Sequence, residues 1–174
     1  MRTRSTLCCL LAVSIAGAVA TAATAAEPNA RPRIAGPHVR AVTPRVAKLL
    51  EEAIARSPTF AALVAAIDKS DVIVHVEEVH RIGHGIEGRL SFIYANDDVR
   101  YLRAQVRAGR GAVDTMAVVG HELQHALEVA LHDNVRDEKA FTALYVRIGD
   151  RPDPHRFDTA AAREVGSRVR KELN

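Results

Sequence analysis

From Asp114 to His132 the chain reads DTMAVVGHELQHALEVALH, with no proline and with its apolar residues repeating on a helical period. At 100° per residue, Met116, Val119, Leu123, Leu127 and Ala130 share one stripe, and His121, His125, Glu128 and His132 share roughly the opposite one. The spacing predicts a helix over 114–132, with Asp114 or Thr115 capping its start through a side-chain oxygen. Inside it stands His121-Glu122-Leu123-Gln124-His125. Histidines four residues apart on a helix are about 6 Å apart along its axis and about 40° apart around it. Both imidazoles can therefore reach one metal ion. Glu122 then lies beside that ion, where its carboxylate can take a proton from a water the metal activates.

The N-terminus reads as a leader. Arg2 and Arg4 are followed by an apolar run from Leu7 to Ala20, and Ala23-Thr24-Ala25 offers a small-residue cleavage site, so residues 1–26 are expected to be a signal peptide. The run is too short for a membrane span, and no later stretch is long or apolar enough to be one. Cys8 and Cys9 both fall in the leader, so the mature chain is expected to hold together in an oxidising compartment without disulfides. Removing Arg2 and Arg4 lowers the formal charge from +3 to +1. The arginines left are spread along the chain with no aromatic interleaving, so nothing points to nucleic acid. The expected location is secreted or periplasmic, with no stable membrane insertion once the leader is gone.

Residues 27–42, with Pro28, Pro32, Gly36 and Pro37, read as a linker, and 43–174 as one domain. Thr43-Pro44 and Ser57-Pro58 are helix starts, each a capping hydroxyl followed by proline at the first helical position. Val72 to Val79 changes to a period of two, Ile86 to Tyr94 follows a glycine turn, and Val99 to Arg107 follows Asn96-Asp97-Asp98. Short connections between three successive strands predict an antiparallel meander. Helices are then expected over 114–132, 135–148 and 159–173. The fold class is α+β: N-terminal helices, a three-stranded meander, the HExxH helix and C-terminal helices. His75, His80 and His84 read as solvated polar residues of strands and turns.

The segment GHELQHALE resembles the active-site helix of the zincin metallopeptidases, and small secreted bacterial proteins carrying HELxHAxE. That resemblance implies Zn²⁺, His121 and His125 as ligands, Glu122 as general base, and hydrolysis of a peptide or protein substrate. It also implies an edge strand above the active-site helix that pairs with substrate backbone, a role open to the third strand. A catalytic zinc takes a third protein ligand. Glu128 and Leu131 stand where a metzincin has its glycine and third histidine, so the resemblance is to the gluzincins, whose third ligand is a glutamate on a later helix. The possible ligands are Glu128, Glu138, Asp158 and Glu164, and the resemblance favours Glu164. Glu128 lies on the ligand face, where holding His125 is an equally natural role. Reflecting the helical hairpin about residue 133 carries Glu138 beyond the site and brings Tyr145 near His121, as a transition-state donor or as packing. Two other readings stand beside the enzyme: a catalytically silent metal- or protein-binding module, and a structural domain whose motif is coincidental.

Overall fold

The computed structural model describes residues 36–150 and 158–174. The leader expected at 1–26 lies outside the described residues, as does most of the linker. The end of that linker is structured: Val39–Ala41 forms strand β1, running parallel to β2. His38 anchors it, its amide donating to Asp68 at 2.8 Å and its ring meeting the Ile67 carbonyl.

Two helices follow, α1 (Pro44–Arg56) and α2 (Pro58–Ile67), and both start as their sequence signals require. Thr43 Oγ1 accepts from the Val46 amide and Ser57 Oγ from the Phe60 amide, with proline next in each case. Strands β2 (Val72–Val79), β3 (Gly88–Ala95) and β4 (Arg100–Arg107) come next. They are not the expected meander. The sheet order is β1-β2-β4-β3, with β1, β2 and β4 parallel and only β3 antiparallel, against β4.

The two connections differ in reach, and that sets the topology. Asn96 Oδ1 accepts from the amides of Asp98 and Val99, so a tight turn makes β3–β4 a hairpin. Residues 80–87, with Gly83 and Gly85 at positive φ, form a longer loop that leaves a gap beside β2. The hairpin then folds in with β4 against β2, pairing Val72 with Arg100 through to Val79 with Arg107. Arg107 fastens the loop by donating to the carbonyls of Gly83 and Ile86. Side-chain character agrees: Leu102, Ala104 and Val106 of β4 are buried, whereas β3 exposes Ile93 and Tyr94 and carries a register shift between Phe92 and Tyr94. The outer strand is therefore β3 rather than β4.

Helix α3 (Ala112–Ala130) starts two residues earlier than expected. Gly111 is the cap without a side-chain bond, and Thr115 Oγ1 instead bonds back to the Gly111 carbonyl. Helix α3 packs on β2, β3 and β4 and is crossed by α5 (Ala160–Leu173), while α4 (Glu138–Ile148) is capped by Asp137. Glycine makes the α3–α5 crossing possible: a Cβ at Gly120 would meet Val169 at 3.0 Å, and one at Gly166 the Ala117 carbonyl at 3.2 Å. Both stripes of α3 are consequently covered, and Glu122, His125 and Glu128 are buried with the apolar residues. At its C-terminal end the wholly buried Arg100 pairs with Asp71 and donates to the carbonyls of Val129 and His132 at 2.8 Å. A cation at a helix C-terminus satisfies carbonyls that have no partner within the helix.

Candidate metal centre

Helical spacing puts His121 and His125 on adjacent turns of α3, with ring centroids 4.8 Å apart and ring planes nearly perpendicular. Asp158, just before the Thr159 cap of α5, brings Oδ1 to 3.6 Å from His121 Nε2. One ligand-type atom from each of His121, His125 and Asp158 lies within 4.8 Å of the others, so the three can hold a metal ion.

The hydrogen bonds around the three fit that use. His125 Nδ1 lies 2.8 Å from Glu128 Oε2, and an ionised carboxylate can only accept, so the ring proton sits on Nδ1. His125 Nε2, which carries the lone pair in the neutral ring, is buried and without a hydrogen-bond partner, and so is Asp158 Oδ1. A buried polar atom left unmet costs on the order of 1–3 kcal/mol. A cation between these atoms would satisfy both. The Glu128 carboxylate is itself held, because Thr159 Oγ1 donates to its Oε1 at 2.7 Å while capping α5. A carboxylate behind a ligating imidazole orients the ring and raises its basicity.

Electrostatics point the same way. Burial, and then His125, push His121 down to about 4, which keeps it neutral and able to ligate at neutral pH. Burial also opposes charge on His125, but the Glu128 hydrogen bond and the carboxylates of Glu122, Glu128 and Asp158 outweigh it and raise its pKa. The field at that point favours positive charge. Burial pushes the Glu122 carboxyl up to about 7, with Asp158 adding to the rise and His125 and the Leu90 amide opposing it. A carboxyl near 7 exchanges protons readily at neutral pH.

Space for Glu122 comes from β3. A Cβ on Gly88 would lie 2.3 Å from Glu122 Oε1 and 2.6 Å from Val118 Cγ1, so only glycine leaves the carboxyl where it is. Glu122 and His121 form the floor of a cleft of about 440 Å³ between α3, α5 and the start of β3.

The remaining residues singled out by sequence take other places. Glu164, favoured as third ligand, is exposed on the outer side of α5 and paired with Arg168. Glu128 stands behind His125 and outside the metal-capable group. Glu138 is exposed in the first turn of α4. Tyr145 meets His125 rather than His121: its hydroxyl donates to the His125 carbonyl at 2.8 Å and its ring packs edge-on against the imidazole. That buried position suits holding α3 in place. His132 turns back to the Glu128 carbonyl, and His75 stacks on Tyr101. Thr159 is legible in sequence as a candidate cap of the last helix, but neither its bond to Glu128 nor the role of Gly88 is. Asp158-Thr159 as a helix lead-in was the available sign for Thr159, whereas Gly88 needs the strand register to be known.

The chain matches no known family model, no curated protein and no solved structure. Among the described residues no helix is long and apolar enough to cross a membrane.

Proposed function

We propose that this chain is a zinc-dependent peptide hydrolase resembling a small zincin, with His121, His125 and Asp158 as ligands and Glu122 as general base. The observation that carries the reading is the pair of buried, unpartnered atoms His125 Nε2 and Asp158 Oδ1, beside a buried carboxyl facing a cleft. Two imidazoles and one carboxylate are a donor set that would suit a catalytic zinc. When bound, zinc supplies a Lewis acid and makes water at the site easier to deprotonate. Glu122 takes the proton from the attacking water and returns it to the departing amine, and its shifted pKa suits it to both steps. An extended peptide added to the outer edge of β3 runs past Gly88, the point where the strand touches Glu122. The leader-like N-terminus makes the place of action the periplasm or beyond.

The test is Glu122→Gln in zinc-loaded protein acting on an unfolded protein substrate. Hydrolysis should fall by roughly 10²–10⁴-fold, the contribution of a positioned base, with zinc still bound. Wild-type protein that holds zinc yet cleaves no member of a broad peptide library would leave the site a silent metal-binding module.

A further inference from the structure

The cleft in front of Glu122 has a charged wall. Arg163, Gly166 and Arg170 all line it from α5, at positions that share one helical face. Arg163 is engaged beside the group that can hold a metal, with Nη1 at 3.0 Å from Asp158 Oδ2 and Nη2 on Asp150. That contact holds one oxygen of Asp158 and leaves the other turned toward His121. Arg170 is placed differently. Its partner Asp114 stands eight residues before Glu122 on α3, about 12 Å along that axis at 1.5 Å per residue, or roughly three to four residues of extended peptide at about 3.3 Å each.

Arg170 is half-exposed, and its Nη1 meets Asp114 Oδ1 at 3.0 Å. A guanidinium carries five N–H donors in a planar fork, so one such contact leaves donors to spare. Glu87, also lining the cleft, is met by Arg110 and Arg107 and presents little net negative charge. Arg170 is thus a cation on the cleft wall, held toward it by an internal carboxylate that an incoming one can join or displace.

We propose that the cleft selects peptides bearing a carboxylate about three to four residues from the bond Glu122 addresses. Arg170 is the receptor and Asp114 its built-in competitor. The carboxylate is an Asp or Glu side chain or the peptide's own C-terminus. This rests on the reading of the cleft as a peptide site but not on turnover.

The test measures binding to zinc-loaded Glu122→Gln protein, by fluorescence anisotropy, of three randomised heptapeptide pools. One is neutral with amidated ends, one carries a fixed central Glu, and one is neutral with a free C-terminus. An acidic pool should bind about three- to fivefold tighter than the neutral pool, the range an exposed charge pair gives, and the margin should shrink as salt rises. Adding Arg170→Ala should erase the margin, and adding Asp114→Asn should widen it. Both residues are surface-exposed, and an unchanged thermal midpoint verifies folding. Whichever acidic pool shows the margin identifies the source of the carboxylate. Equal binding of all pools, no binding of any, a margin that survives Arg170→Ala, or no widening with Asp114→Asn would each overturn the proposal. A margin in a wild type that hydrolyses nothing would remove the hydrolase reading alone, and hydrolysis without a margin would remove this inference alone.

Discussion

Glu128 takes up Nδ1 of His125, and that leaves Nε2 buried without a hydrogen-bond partner beside His121 and Asp158. The position of the Glu122 carboxyl, the proposed base, depends on the missing Cβ of Gly88. In Gly88→Ala the new Cβ would fall on Glu122 Oε1, and Val118 blocks the easy escape. Glu122 should be displaced while the ligands stay in place. The expected outcome is unchanged zinc content with hydrolysis down about a hundredfold, the scale of a 1 Å misplacement, and a paired zinc assay and peptide-cleavage assay would check it. The sequence was legible where helical spacing alone decides, as in bringing His121 and His125 together on adjacent turns. It misled on Glu164. The inner face of α5 is fixed by Ala162, Val169 and Leu173. At 100° per residue Glu164 lies roughly 160° from Ala162, which turns it to solvent. Periodicity already carried that information, and the resemblance overrode it.

Among the elements, α3 is held from its C-terminal end by Arg100, which ties β4 and Asp71 to the last carbonyls of the helix. Arg100→Leu would leave Asp71 buried with its main partner gone. Breaking a buried pair from one side costs about 3–5 kcal/mol. The thermal midpoint should drop clearly, with partial recovery in a double variant that also carries Asp71→Leu.

A milder dependence sits at the start of α2. The Glu172 carboxylate accepts from Ser57 Oγ at 2.5 Å, Thr59 Oγ1 at 2.6 Å and the Thr59 amide at 3.1 Å. These bonds, that of Ser57 first, hold its pKa below the usual 4.5. Its contribution is present above that value and is lost as pH falls through the lower, folded-state pKa. Urea unfolding between pH 5 and pH 3 should therefore lose stability less steeply in Glu172→Gln than in wild type. Helix starts at Thr43 and Ser57 were readable because capping is local chemistry, and β2 was placed to the residue. Strand order was not, because it depends on connection reach. One local sign was passed over: Val72-Ile73-Val74 is apolar on both faces, and Ile73 is buried. That is the mark of an inner parallel strand.

Across the whole molecule the site joins parts far apart in sequence. Helix α3 gives two imidazoles and Glu122, the lead-in to α5 gives Asp158 and Thr159, and β3 gives Gly88. Cys8 and Cys9 both precede the described residues, so packing rather than disulfides holds the described part of the chain together. A metal held by His121, His125 and Asp158 would tie α5 to α3 at the crossing made by Gly120 and Gly166. Elemental analysis of protein purified without chelator tests this most directly, comparing wild type with Asp158→Ala and Glu164→Ala. Wild type and Glu164→Ala should each carry about one zinc per chain, and Asp158→Ala should lose it sharply. Zinc retained by Asp158→Ala but lost from Glu164→Ala, or absent from wild type altogether, would contradict this expectation.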